Sequence, residues 1–108
     1  MAHTYKNSKV DLSSTSDTVL YTVPAATTSI VKSILVSNDD TSNACHITVT
    51  LLNTSNTVFS LFKEKNITAK TTEELLTHPM VMTTDEELKV QAQNAYDLHV
   101  VCSYLEVT

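Results

Sequence analysis

Alternation of side-chain character is the feature that most narrows what this chain can fold into. From Cys45 to Leu52 it places Cys45, Ile47, Val49 and Leu51 on one side and His46, Thr48 and Thr50 on the other. A period of two belongs to a β-strand with one buried face. The same alternation recurs along the sequence. Strands are predicted over Thr18–Val23, Ser29–Ser37, Cys45–Leu52, Thr57–Lys63 and Glu87–Gln93, with a last one over Leu98–Val107. Shorter ones are predicted over Asn66–Ala69 and Thr71–Leu76, and Met80–Met82 is a short apolar segment after Pro79. Between them lie runs of turn-forming residues, such as Asn38–Asn43 and Asn53–Asn56, whose short polar side chains bond their own backbone. No stretch sustains apolar residues at helical spacing.

About eight short strands at this spacing predict an all-β fold: a single antiparallel β-sandwich of jelly-roll type. Its 108 residues suffice for one domain. We place the sandwich over residues 18–108. Residues 1–17 are polar and rich in Ser and Thr, which predicts an N-terminal arm outside it. Ile34, Val36, Ile47, Val49, Leu51, Leu88 and Val90 are expected in the core.

Composition excludes several functions. With no glycine, the chain cannot form a P-loop, a dinucleotide-binding turn or an EF-hand loop. With no arginine, bidentate recognition of guanine or phosphate is unavailable. A net charge of −5 argues against a nucleic-acid partner. No apolar run approaches the roughly 20 residues of a membrane span, so no membrane partner is expected. The first residues lack the apolar stretch of a secretion signal, which points to synthesis in a reducing cytoplasm. There, Cys45 and Cys102 read as buried free thiols rather than a disulfide.

Catalytic and metal-binding chemistry finds no support. His3, His46, His78 and His99 are scattered, without ligand spacing. Cys102 with His46 or His99 is the nearest approach to a nucleophile and base, but a mid-strand thiol is ordinarily inert. The carboxylate pairs Asp39-Asp40, Glu73-Glu74 and Asp85-Glu86-Glu87 are neighbours in sequence and so do not face each other across a cleft. Asp39, Asp40 and Asn43 could offer oxygens to calcium, but Asx residues fill turns for conformational reasons. We therefore assign no catalytic residue, no metal and no cofactor, and expect a structural or binding role.

Two segments are apolar on both faces. Ile30, Ile34 and Val36 alternate with Val31 and Leu35. In the last strand Leu98, Val100, Cys102 and Tyr104 oppose Val101, Leu105 and Val107. A sandwich buries only one face of a strand, so the second face needs a cover, and another subunit is one candidate. Val101, Leu105 and Val107 are thus partner-contact candidates. Tyr5, Val10 and Leu12 are those of the polar N-terminal segment.

The order of motifs adds a resemblance. Thr22-Val23-Pro24-Ala25 followed by Ile30-Val31-Lys32-Ser33-Ile34-Leu35-Val36-Ser37-Asn38 resembles a segment of small virion structural proteins of tailed bacteriophages. Glu73–Leu76, Pro79–Met82, Leu88–Ala92 and Ser103–Val107 are similar to later strands of that family. The likeness runs from about Val19 to Val107. The family's glycines are replaced here at Ala26 and within Thr84-Asp85-Glu86, which leaves the turn types open. The resemblance implies a non-enzymatic β-sandwich protein of the virion, foremost a capsid decoration (cement) protein. Such a protein would brace contacts between major capsid protein subunits as a trimer on the outer surface of the particle. Its acidity agrees with a place outside the shell, away from the genome. A neck, tail or fibre component is the alternative. A carbohydrate-binding module is a further one of another class, disfavoured because Tyr5, Tyr21, Tyr96 and Tyr104 are the only stacking candidates beside two phenylalanines and no tryptophan.

Overall fold

The structure is a computed structural model that describes residues 2–108. Nine strands carry the fold: β1 His3–Asp11, β2 Thr18–Thr22, β3 Thr28–Asn38, β4 Cys45–Leu52, β5 Val58–Ile67, β6 Thr72–Glu74, β7 Met80–Met82, β8 Glu87–Ala92 and β9 Leu98–Val107. They form two antiparallel sheets. The first runs β1-β9-β3-β6, with β7 also on β3, and the second runs β2-β8-β4-β5. With β6 and β7 counted as one interrupted strand, each sheet has four strand positions, and the chain crosses between the sheets at every connection except the β4–β5 hairpin. That is the jelly-roll arrangement of two Greek keys. Pro79 lies in the interruption, where a missing N–H does no harm.

The core lies between the sheets. Ile34, Val36, Ile47, Val49, Leu88 and Val90 are fully buried, as expected, joined by Val23, Val31, Ile67, Met82, Leu98 and Val100. Leu51 is only partly buried, because it sits near the end of the β4–β5 hairpin. Cys45 and Cys102 are free and buried. Burial, with the charge of Glu74 adding to it, pushes the Cys102 thiol up to about 12.

The polar arm expected over 1–17 is a correction. From His3 to Asp11 these residues form an edge strand paired with β9 along its whole length, from His3 opposite Val107 to Asp11 opposite His99. Leu12 follows as a fully buried core residue. Sequence patterning missed β1 because its inward positions begin with Thr4, Lys6 and Ser8. Polar contacts hold these positions: Lys6 Nζ lies 2.9 Å from Glu106 Oε1, and the Ser8 and Tyr104 hydroxyls are 2.8 Å apart.

A second correction concerns β3. Simple alternation would set Ile30, Ile34 and Val36 against Val31 and Leu35. The register to β9 shifts between Val31 and Ser33, so one residue bulges out. Ile30 and Leu35 therefore face outward, while Val31, Ile34 and Val36 face the core. The Glu74 carboxylate holds the bulge. It accepts from the Ile34 N–H at 2.8 Å, the Leu76 N–H at 3.2 Å and the Ser33 hydroxyl.

A chain without glycine still needs left-handed backbone at its turns. Ala26, Asn56, Glu64, Lys70, Asp85 and Tyr96 all have positive φ, between 51° and 68°. At Asp85 the Glu86 N–H donates to Thr83 O at 3.1 Å, which with positive φ at the third residue is the type II pattern. Lys70 occupies the same position between Thr68 and Thr71. Asn56 closes the β4–β5 hairpin, where the Asn53 side chain accepts from the Ser55 and Thr57 N–H groups.

Candidate interaction surface

The outer faces of the two sheets differ. On the second sheet, His46, Thr48, Glu64, Gln91 and Gln93, with Thr15 beside them, line a polar depression. Lys89 is paired with Asp17 at 3.2 Å. Toward the other end of that face Leu52 and Val58 are apolar, next to the hairpin turn.

The first sheet is different. Residues opposite each other across antiparallel strands share a face. Tyr5 is opposite Leu105, Leu105 opposite Ile30, and Ile30 opposite Val81. Four strands thus contribute one apolar row to the outer face. Tyr5 is 73% exposed and Val81 60%, with Ile30 and Leu105 half-buried between them. A second row sets Val101 beside Leu35, flanked by Lys9 on β1. Asn7, Ser103 and Ser33 separate the two rows. Val107, opposite His3 and Thr28, extends the face at one end.

Of the six residues singled out from the sequence, four meet on this face: Tyr5, Val101, Leu105 and Val107. The other two do not. Val10 points inward and packs against the core, and Leu12 is part of the core. They alternate with Tyr5 along β1, so the pleat that turns Tyr5 outward turns them inward. Val81 was not singled out. Its signal was the short run Met80-Val81-Met82, whose middle residue must face opposite to its neighbours.

Charge around the rows is sparse. Lys32, in the β3 bulge, lies 5.9 Å from the centroid of the Tyr5 ring, within cation–π range. At the far end His99 Nε2 is 3.2 Å from Asp11 Oδ1.

Beneath this face a buried polar cluster ties the sheets together. Glu106, 6% exposed, accepts from the Tyr21 hydroxyl at 2.7 Å and pairs with Lys6. The Tyr21 and Tyr104 rings stack at 3.9 Å between centroids. Burial alone would raise the Glu106 carboxyl. The hydrogen bonds from Tyr21 and Lys6, with the Lys6 charge, outweigh it and hold the group below its ordinary value. Burial pushes the Tyr21 phenol well above its own. The cluster therefore joins β1, β9 and β2, and fixes the strand that carries Tyr5.

Among the described residues, no group of three or more His, Cys, Asp or Glu is arranged to hold a metal ion. The Asp39–Asn43 loop is accounted for by its own backbone. Asp40 Oδ1 accepts from the Ser42 and Asn43 N–H groups at 2.8 and 2.9 Å, which lowers its pKa. The Asn38 side chain donates to Asn43 O and Ile67 O.

No protein-family model matches this chain, and no curated protein does. Solved structures titled for infectious bursal disease virus are similar to it. For the Gx strain the identity is 12% and the TM-score 0.49, over 96% of this chain and 28% of that one. For the Gt strain they are 11% and 0.46, over 98% and 30%. The chain spans less than a third of the length of those chains.

Proposed function

We propose that this chain is a non-enzymatic virion structural protein: a capsid decoration protein of a tailed bacteriophage that sits on the outer surface of the head and braces contacts between major capsid protein subunits. The observation that carries this reading is the apolar row Tyr5–Leu105–Ile30–Val81, set on four strands of one sheet. Exposed apolar surface that is contiguous and rimmed by polar residues marks interaction sites. Here Asn7, Ser103 and Ser33 border the row on one side, and His3 and Thr28, with Val107 between them, on the other. Side chains carried on paired strands suit a bracing role, since less conformational entropy is lost on docking than from a loop.

Two further points support the reading. The fold is one that serves shells as well as lectins, so it permits the role without requiring it. The backbone at two positions is also compatible with the sequence resemblance. Ala26 has positive φ, and so does Asp85 within Thr84–Glu86, the positions where the resembling family carries glycine. Positive φ is the backbone region that glycine adopts most readily.

The test is attachment. Purified chain is added to particles that lack it, and bound protein is measured after pelleting. Leu105→Lys and Ile30→Lys, both on the outer face, should fold normally and lose most of the attachment. Undiminished attachment by both variants would overturn this use of the face.

A further inference from the structure

Exposed strand edges are ordinarily blunted to prevent uncontrolled pairing. Among the described residues, three of the four edges of this sandwich are. β2 is five residues long with a register shift between Val19 and Tyr21. β5 has two register shifts, positive φ at Glu64, and the charged run Lys63-Glu64-Lys65. β6 and β7 are three residues each, parted by a segment containing Pro79. The fourth edge, β1, has nine residues in unbroken register and no proline.

Its free hydrogen-bonding groups can be assigned. The Leu12 N–H donates to Leu98 O and the Thr108 N–H to Ala2 O, so the even-numbered residues bond to β9. In an antiparallel ladder the intervening residues direct N–H and C=O the other way. His3, Tyr5, Asn7, Lys9 and Asp11 therefore offer their backbone groups to whatever lies beyond the edge, and their side chains to the outer face of the sheet.

We propose that β1 pairs with β1 of a second copy of this chain, antiparallel about a two-fold axis at Asn7. Three independent features converge on that register. It is the one that overlaps all nine residues. It sets odd-numbered residues opposite odd-numbered ones, as the free backbone groups require. It also matches every outward side chain: His3 opposite Asp11 of the second copy, Tyr5 opposite Lys9, and Asn7 opposite Asn7. Asp11 would then lie between His99 of its own chain and His3 of the other, and the Tyr5 ring between Lys32 and the second copy's Lys9. Lys6 is drawn inward to Glu106 and does not meet its own counterpart. The result is a continuous sheet in which the apolar rows of both copies lie on one face. This association is two-fold, in place of the trimer that the sequence resemblance implies. It concerns the edge rather than the face of the sheet and does not rest on the virion reading.

The experiment uses the full chain. Sedimentation should give twice 11.9 kDa. Asn7→Pro removes an outward N–H while sparing the β9 ladder, and should shift the mass to the monomer. Asn7→Cys would place two thiols across the axis. Paired strands bring such residues to about 5.5 Å between Cα atoms, within disulfide reach. It should cross-link under mild oxidation. Lys9→Cys, whose copies would lie about 14 Å apart in this register, should not. A monomeric or trimeric wild-type mass would overturn the proposal, as would equal cross-linking of the two cysteine variants.

Discussion

Replacing Ala26 by glycine should stabilise this protein. Ala26 has a φ of 53° and is exposed, so its methyl group contributes no packing that the substitution would remove. The contacts that fix the turn use other atoms. The Thr27 N–H donates to Thr84 Oγ1 at 3.2 Å, the Thr84 hydroxyl to Thr27 O at 2.9 Å, and the Thr27 hydroxyl to Ala25 O at 3.0 Å. A residue with a Cβ in the left-handed region costs roughly 1–2 kcal/mol, and glycine is free of that cost. Glycine in turn loses about 0.4–1 kcal/mol more chain entropy on folding. The balance is a gain of about 0.5–1 kcal/mol, or about 2–6 °C in Tm for a domain of this size. Lys70→Gly, at a φ of 60° in a separate turn, should behave alike, and the two gains should add. Ala25→Gly is the control. Ala25 is not among the positive-φ residues, so only the entropy cost remains and Tm should fall. Thermal unfolding followed by circular dichroism measures all four variants. A drop in Tm for Ala26→Gly equal to that for Ala25→Gly would refute the reasoning.

Other substitutions probe other parts of the account. Ile47→Ala removes a fully buried side chain of β4 and should cost about 2–4 kcal/mol by chemical denaturation. Leu51→Ala, at a partly buried position, should cost less. Glu106→Gln keeps an acceptor for the Tyr21 hydroxyl but loses the charge paired with Lys6, and should cost about 1–3 kcal/mol at neutral pH. Because the folded Glu106 carboxyl lies below its unfolded value, its stabilisation is present above about pH 4.3 and is lost as pH falls through the folded value. The Tm of the variant should accordingly fall less steeply on acidification than that of the wild type. Cys102, with its thiol pushed up to about 12, should resist alkylation at pH 8 until the protein is unfolded, as measured by mass spectrometry.

The legible parts of the fold are those whose causes are local. Alternation from Cys45 to Leu52 identified β4 and its inward face because each residue there obeys the pleat without interruption. β1 was hidden because the partners of its polar inward residues, Tyr104 and Glu106, lie about a hundred residues away. The β3 bulge was hidden for the same reason: the carboxylate that satisfies it belongs to Glu74. One displaced residue then reversed the facing assigned to Ile34 and Val36 relative to Ile30. On the candidate surface, Val101, Leu105 and Val107 were readable as the surplus face of β9. Tyr5 was singled out as well, yet as part of a loose arm rather than of the same sheet. That Tyr5, Leu105, Ile30 and Val81 share a row depends on strand order and register, which no single segment specifies.

The most direct test of a virion role is quantitative mass spectrometry of purified particles from the source that produces this chain, scaled to the major shell protein. The expected result is a fixed ratio to that protein, in high copy number, that survives repeated washing and disappears when the outer-face substitutions are introduced. A handful of copies per particle would move the protein to the neck or tail. Its absence from particles, with the chain abundant in the cells that make them, would contradict the account.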